Sequence, residues 1–306
     1  MIRGAVAAAL TVTLVGLTAC SGSETTPGKA APPSVPGATS SASSGASPTS
    51  PSGAPSTSPS GAPQVGPQYV ALGDSYAAAP GVPVTTGADG CFRSSANYAQ
   101  VLAAAADLTV TDVTCSGATT ASVLATQVTE ITPEAELVTL GVGGNDFDLF
   151  TKLIQSCAGL AGSDPEGAPC SDTVQAELDR TLPKIDDNLD GLFDAIAEAA
   201  PSARVVVVGY PDLLPSSGGC PDEVPLATGD YPLLNEVTHG LSDLLRGQAE
   251  RRDFDYVDLR GPSRGHDICS AKPWVNGAQT ADDGTIPFHP FGVEQQAVAK
   301  LVAALL

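Results

Sequence analysis

Short apolar runs alternate with longer amphipathic segments over residues 67–306. The apolar runs are rich in β-branched residues, as buried parallel strands are, and they lie at 68–72, 108–113, 137–142, 204–209 and 254–259. Apolar residues recur at helical spacing in the segments 97–106, 174–200, 232–252 and 292–306. This alternation predicts an α/β fold, a three-layer α/β/α sandwich with a central parallel sheet of about five strands.

Glycines and polar residues follow the first three predicted strands, at 73–76 (Gly-Asp-Ser-Tyr), 115–120 (Cys-Ser-Gly-Ala-Thr-Thr) and 141–146 (Gly-Val-Gly-Gly-Asn-Asp). Ligands of such sheets bind at the carboxyl ends of the strands, so these segments are candidates for a site. Each segment alone is compatible with an ordinary turn or helix cap. Together with His289, which stands in a Pro-Phe-His-Pro loop before the last predicted helix, they indicate a serine hydrolase.

Ser75 is the candidate nucleophile, since a turn from strand to helix exposes its hydroxyl. His289 is the candidate general base, because imidazole exchanges its proton near neutral pH. Gly117 lets the backbone approach a ligand closely, and Asn145 can aim an amide donor into the same crevice. Donors around a carbonyl oxygen stabilise the oxyanion of acyl transfer. The sequence therefore predicts an acyl-enzyme on Ser75, formed with no metal or organic cofactor.

These segments, with 209–211 (Gly-Tyr-Pro) and 273–277 (Pro-Trp-Val-Asn-Gly), resemble those of the SGNH, or GDSL-type, hydrolase family. The similarity is greatest to its secreted actinobacterial lipase and esterase branch, and it extends over essentially all of 67–306. It implies cleavage of carboxylic esters by a lipase, esterase or phospholipase, with Ser75 as nucleophile and His289 as base. It also implies an oxyanion hole made of the Ser75 and Gly117 N–H groups and the Asn145 side chain.

Two positions differ from the family signature. An Asp often stands three residues before the histidine, but this chain has Ile286 there, and the nearest upstream acids are Asp282 and Asp283. We predict that the Ile286 backbone carbonyl orients His289, which would make a Ser-His dyad, with either aspartate as the alternative partner. Tyr76 replaces a leucine of the signature, and we interpret that change as one of side-chain packing.

Seven cysteines are present, and six remain if Cys20 belongs to a targeting segment. An even set is expected outside the reducing cytosol, although six cysteines can pair in many ways. Pairing each cysteine with its neighbour in sequence gives the disulfides Cys91–Cys115, Cys157–Cys170 and Cys220–Cys269, which the family branch also implies.

The N-terminus reads as an export signal. Arg3 precedes an apolar run that is too short for a mature membrane span, and Leu-Thr-Ala-Cys at 17–20 resembles a bacterial lipobox. We predict a lipoprotein signal at 1–20 with lipidation of Cys20, a Ser/Pro/Ala/Gly linker without a core at 21–66, and a hydrolase domain at 67–306. The expected location is the outer face of the cell membrane, or the medium if the protein is released.

The formal net charge of −20 argues against nucleic acid as a partner. The expected partners are an ester or lipid substrate and the membrane that holds the anchor, and the protein is expected to be a monomer.

A competing serine, Ser263, stands in a Gly-x-Ser-x-Gly segment at 261–265, but no helical pattern follows it as a nucleophile elbow requires. His266 is interpreted as a loop residue and His239 as a helix surface residue. Two other functions stay open: an acyltransferase or carbohydrate deacetylase that uses the same site, and a tethered lipoprotein that binds a ligand without catalysis.

Overall fold

The structure is a computed structural model, and it describes residues 66–86 and 89–306. The predicted signal, Cys20 and the linker up to residue 65 lie outside the described residues.

Five strands form one parallel sheet, as predicted from the alternating pattern. They are β1 (Gln68–Gly73), β4 (Thr109–Asp112), β5 (Ala135–Gly141), β6 (Arg204–Val208) and β7 (Asp255–Val257), in the order β4-β1-β5-β6-β7. A separate antiparallel pair consists of β2 (Thr85–Thr86) and β3 (Arg93–Ser94). The chain runs from β1 to one edge and then back past β1 to β5, so the strand order reverses between β1 and β5. Ligand crevices of open α/β sheets lie at such reversal points.

Helices cover both faces of the sheet. Alternate β1 residues point to opposite sides, with Val70 and Leu72 in one core and Tyr69 and Ala71 in the other. The first core includes residues of α4 (Leu149–Leu160), α5 (Pro169–Ala199) and α6 (Tyr231–Glu250). The second includes residues of α2 (Tyr98–Ala106) and α7 (Gly292–Ala303). The predicted three-layer arrangement is confirmed.

The helix boundaries follow local signals. Asn97 caps α2 by accepting a hydrogen bond from the Gln100 N–H at 3.0 Å, and proline stands in the first turn of α5 and of α6. Helix α4 was not predicted from the sequence, and α5 begins five residues before its predicted start at 174.

Within the part of the chain that the structure describes, no helix has both the length and the apolar character that a membrane-spanning helix needs.

Two short helices each follow a strand at the carboxyl edge of the sheet. Helix α1 (Ser75–Ala78) follows β1, and α3 (Thr120–Ser122) follows β4.

The two outer strands are the least buried: β4 alternates exposed and half-buried residues, because it pairs on one side only. The apolar runs indicated buried parallel strands, and β4 is a parallel strand of the sheet but is not buried.

Gly73 ends β1 in a conformation that favours glycine, with φ +144°. A Cβ atom there would lie 2.6 Å from the Gly141 carbonyl oxygen and 2.8 Å from the Ala77 Cβ. No L side chain fits these contacts, so the turn into Ser75 depends on glycine.

All three predicted disulfides are confirmed: Cys91–Cys115, Cys157–Cys170 and Cys220–Cys269. The first joins the β3 region to the loop that follows β4, and the second joins α4 to the first turn of α5.

Candidate active site

The nucleophile turn, residues 73–76, directly follows β1. Asp74 caps α1, and its carboxylate accepts a hydrogen bond from the Tyr76 N–H at 2.9 Å. Ser75 is the first residue of α1, so its N–H has no intrahelical acceptor. Ser75 is buried and is one of the residues that line a cavity. A hydroxyl and a backbone donor are therefore presented together at the carboxyl end of the sheet.

Asp74 also connects this turn to the neighbouring strand ends. The Tyr210 hydroxyl donates to the Asp74 carboxylate and accepts a hydrogen bond from the Gly144 N–H at 3.1 Å. Burial raises the pKa of Asp74 to about 7, although the hydrogen bonds from Tyr210 and Tyr76 oppose the shift. The sequence identified Gly-Tyr-Pro at 209–211 only as a family segment. The structure assigns Tyr210 a contact that joins the Ser75 turn to the turn before Asn145.

Asn145 lies on the turn after β5 and faces the same cavity as Ser75. Its side-chain amide donates to the Ala118 carbonyl at 3.0 Å, which leaves the second N–H of the amide for another acceptor. Gly117 adopts φ +81°, is exposed, and is not among the residues that line the cavity. The predicted oxyanion group is thus assembled in part: Ser75 and Asn145 share the cavity, while Gly117 lies next to the residue that holds Asn145.

Asp146 joins the loop after β4 to the turn after β5. It is buried, and its carboxylate accepts hydrogen bonds from the N–H and hydroxyl of Thr120, the former at 2.9 Å, and from the Asn188 amide at 3.3 Å. This role was not predicted from the sequence, because the partners lie 26 and 42 residues away.

The cavity between these loops has a volume of about 240 Å³. One wall is apolar and consists of Phe150 and Ile154 of α4 together with Leu213. Ser75, Asn145 and His289 are polar groups at the same cavity. A few polar groups beside an apolar wall suit a substrate that has a hydrocarbon part.

His289 is oriented by a backbone carbonyl, but not by the predicted one. Its Nδ1 lies 2.7 Å from the Pro287 carbonyl oxygen. The Ile286 carbonyl instead accepts from the His289 backbone N–H at 3.3 Å and from the Asn276 amide at 3.2 Å. The left-handed conformation of Phe288, φ +58°, turns the chain so that the imidazole returns to the residue two positions before it. The prediction of Ile286 as the orienting residue was therefore wrong by one position.

The protonation state of His289 follows from this contact. A carbonyl oxygen can only accept, so Nδ1 carries the proton and Nε2 is left as an acceptor. Burial lowers the pKa of His289 from its ordinary value, and the hydrogen bond to Pro287 opposes that shift only in part. The imidazole is consequently neutral at neutral pH, as a general base must be.

The competing serine serves a structural role. Ser263 is fully buried, and its Oγ accepts from the Asp212 N–H at 2.9 Å. The residues after it form turns rather than a helix, as the sequence predicted.

The other two histidines are engaged outside the cavity. His266 lies 2.7 Å from the Lys272 carbonyl and stacks on Trp274, and His239 on α6 pairs with Asp212 at 2.6 Å. Over residues 66–86 and 89–306, no cluster of three or more His, Cys, Asp or Glu side chains could hold a metal ion.

Comparison with known proteins identifies the family. The model of the GDSL-like lipase/acylhydrolase family matches residues 71–291. The chain belongs to this family. Lipase 2 of Streptomyces coelicolor is 37% identical over 251 residues, which cover 76% of this chain and 83% of that lipase. Lipase 1 of the same organism is 32% identical over 229 residues, which cover 74% of this chain and 82% of the lipase. This member of the GDSL family is accordingly a carboxylic ester hydrolase.

Solved structures share the architecture. Phospholipase A1 from Streptomyces albidoflavus NA297 superposes with a TM-score of 0.69 at 27% identity, over 78% of this chain and 99% of that enzyme. The extracellular lipase from Streptomyces rimosus gives a TM-score of 0.68 at 28% identity, with the same coverage of both chains. Both confirm the three-layer fold.

The geometry at His289 predicts that neither Asp282 nor Asp283 takes part in catalysis. Asp282 is exposed, and Asp283 accepts the Thr285 N–H at 3.0 Å within its own turn. Asp282→Asn and Asp283→Asn should each change kcat for ester hydrolysis only a few-fold, against the roughly 10⁴-fold loss expected for a triad aspartate. Steady-state kinetics of the two folded variants measure this. A fall of three or four orders of magnitude in either one would make that aspartate the third catalytic member.

Proposed function

We propose that this GDSL hydrolase cleaves carboxylic esters through an acyl-enzyme on Ser75, with His289 as the general base. The observation that carries the proposal is the shared cavity of Ser75, Asn145 and His289, together with the Pro287 contact that leaves His289 Nε2 as an acceptor. A nucleophile, a base in the required tautomer and an amide donor then face one substrate space.

In the acylation step the Ser75 hydroxyl gives its proton to His289 Nε2 while Oγ bonds to the acyl carbon. The ester C–O bond breaks, and the leaving alcohol takes the proton from the imidazolium. In deacylation a water molecule gives a proton to Nε2, its oxygen bonds to the acyl carbon, and the bond to Oγ breaks. Ser75 recovers its proton, so the enzyme returns to its starting state.

The carbonyl oxygen of the substrate carries negative charge in both steps. The free N–H of the Asn145 amide and the Ser75 backbone N–H are the donors that stabilise it, with the Gly117 N–H as the third member once substrate is bound. Loss of one such donor costs roughly 10² to 10³ in rate in related chemistry.

The base works without a carboxylate partner. The Pro287 carbonyl bears only a partial negative charge, so it orients the imidazole but stabilises the imidazolium less than an aspartate would. The lowered pKa of His289 is in keeping with this environment. The site is therefore a Ser-His dyad.

The substrates are esters with an apolar acyl chain, as cleaved by lipases, esterases and phospholipases. The apolar wall of Phe150, Ile154 and Leu213 supports this class, as do the names of the similar proteins, which include lipases and a phospholipase A1. The acyl chain lies along this wall with its carbonyl carbon at Ser75.

Ser75→Ala tests the nucleophile. The variant should fold but lose ester hydrolysis, because no other hydroxyl can form the acyl-enzyme, and Ser75 should be the residue that a fluorophosphonate labels. Ser263→Ala is the matched control and should keep nearly full activity, since Ser263 is bound to the Asp212 backbone. Hydrolysis of p-nitrophenyl esters, with mass spectrometry of the labelled peptide, measures both. Activity that persists in Ser75→Ala and vanishes in Ser263→Ala would transfer the mechanism to residues 261–265.

The pH dependence tests the base. His289 acts as base only when it is neutral, and burial lowers its pKa, so the acidic limb of kcat/KM should have its midpoint below the ordinary histidine value of about 6.5. Activity should be retained above that midpoint and lost as the pH falls through it. The neighbouring Asp74, whose pKa is about 7, is the other group whose titration would produce a limb in the kcat/KM profile. A midpoint near 7 that disappears in Asp74→Asn would assign the limb to Asp74 and contradict this prediction.

The hydrolase is exported and tethered to the outer face of the membrane through lipidated Cys20. The Leu-Thr-Ala-Cys segment supports this proposal, as do the three disulfides and the extracellular location in the name of the Streptomyces rimosus lipase. Residues 21–66 would then separate the hydrolase domain from the lipid.

Substitution of Cys20 tests the anchor. The parent protein expressed in a bacterial host should partition into detergent with a diacylglyceryl mass on its N-terminal peptide, while Cys20→Ala should lose both properties. Ser23→Ala is the control and should behave as the parent. An unmodified Cys20 in a protein released to the medium would rule the anchor out.

A further inference from the structure

Tyr76 makes a contact that its place in the sequence does not suggest. Its hydroxyl donates to the Phe288 carbonyl oxygen at 3.0 Å, across 212 residues of chain. Its ring lies edge-on to that of Tyr210, with 5.2 Å between centroids, and 6.0 Å from the centroid of His289. The residue after the nucleophile is thus bound directly to the residue before the base. The interpretation of Tyr76 as a packing change was incomplete.

Residues 285–291 form the loop that carries His289, here called the base loop. Within it, Phe288 has a strained backbone conformation. Its φ of +58° places a residue with a Cβ in the left-handed region, which is unfavourable for L-amino acids other than glycine. Two hydrogen bonds hold it there: its N–H donates to the Gly277 carbonyl at 3.1 Å, and its carbonyl accepts from Tyr76. The Phe288 carbonyl belongs to the peptide that leads into His289, so the Tyr76 hydroxyl fixes the plane from which the imidazole projects.

Tyr76 is itself fixed at both ends of its backbone. Its N–H donates to Asp74 at 2.9 Å, and its carbonyl accepts from the Gln295 amide at 2.9 Å. Burial raises the pKa of the Tyr76 phenol well above its ordinary value, so the hydroxyl remains a donor throughout the working pH range. The contact to Phe288 therefore joins two anchored segments rather than a free side chain to a loop.

We propose that Tyr76 is a positioning residue that sets the orientation of His289 relative to Ser75 through the Phe288 carbonyl. This inference rests on the proposed roles of Ser75 and His289. Without the hydroxyl, the Phe288 carbonyl loses its hydrogen bond, and the left-handed turn is held only by the Gly277 contact and the longer bond of 3.3 Å from the His289 N–H to the Ile286 carbonyl, so the peptide between Phe288 and His289 can shift. The Pro287–Nδ1 contact and the direction of Nε2 change with it.

Tyr76→Phe tests the proposal, since it removes one oxygen atom and keeps the ring against Tyr210. We expect kcat to fall on the order of 10- to 100-fold, the size of effect that a small misplacement of a reacting group produces. KM should stay within about two-fold of the parent value, because the apolar wall that holds the acyl chain is unchanged. The rate of fluorophosphonate labelling at Ser75 should fall by a similar factor, since labelling also needs the base.

Tyr256→Phe is the matched control. The Tyr256 hydroxyl donates to the Ser242 carbonyl at 3.1 Å, so this variant loses the same type of bond at nearly the same length. Tyr256 stands on the edge strand β7 and does not line the cavity. The two variants should lose similar amounts of thermal stability, but Tyr256→Phe should keep the parent kcat and labelling rate. The comparison separates the loss of a buried hydrogen bond from the loss of His289 orientation.

The outcomes distinguish this inference from the proposed function. If Ser75→Ala is inactive but Tyr76→Phe has the parent kcat and labelling rate, the positioning role is wrong and the mechanism stands. The positioning role is also wrong if the Tyr76 and Tyr256 variants lose kcat equally, or if Tyr76→Phe changes KM alone. If Ser75→Ala remains active, the mechanism fails before the role of Tyr76 is in question.

Discussion

The end of β1 is held by backbone hydrogen bonds on both sides, and the remainder of the site depends on them. The Asp74 N–H donates to the Gly141 carbonyl at 3.0 Å, and the Cys115 N–H donates to the Gly73 carbonyl at 3.0 Å. The Gln127 side chain pairs with both the N–H and the carbonyl of Gly73. Three strand ends therefore meet around one glycine. Any side chain at residue 73 would separate them, and the loops that carry Ser75 and Asn145 would no longer face one cavity.

Buried carboxyl groups connect these loops by hydrogen bonds outside the strand pairing of the sheet. Asp74 binds Tyr210 and the Tyr76 N–H, and Asp146 binds Thr120 and Asn188. Burial of a carboxyl group is costly, as the pKa of Asp74 near 7 records, so each group is surrounded by donors. The acidic residues of this chain thus have two roles. Those at the surface account for most of the net charge of −20, while those beside the site fix its geometry.

The base loop is built from backbone contacts rather than from a carboxylate. The Asn276 N–H binds the His289 carbonyl at 2.9 Å, and the Asn276 side chain binds the carbonyls of Thr285 and Ile286. The Phe291 N–H binds the Trp274 carbonyl at 2.8 Å. The Pro-Trp-Val-Asn-Gly segment at 273–277 therefore acts as a frame for residues 285–291. A frame of this kind can hold a histidine where the signature aspartate is absent.

The sequence by itself determined the fold class, the five parallel strands, the disulfide pairs and the family, because each depends on local periodicity, cysteine order or contiguous motifs. It also identified Ser75, Asn145 and His289 as candidates, since glycine-rich turns after strands mark the carboxyl edge of a sheet. Only the tertiary structure decided that Pro287 rather than Ile286 contacts His289. The contact depends on the left-handed backbone at Phe288, and no residue of that loop requires this conformation, so the sequence could not predict it. It also decided that α4 and Leu213 form the apolar wall, and that Tyr76 and Tyr210 connect the loops. Those contacts join groups up to 212 residues apart, and a hydrogen bond at that separation leaves no periodic trace in the chain.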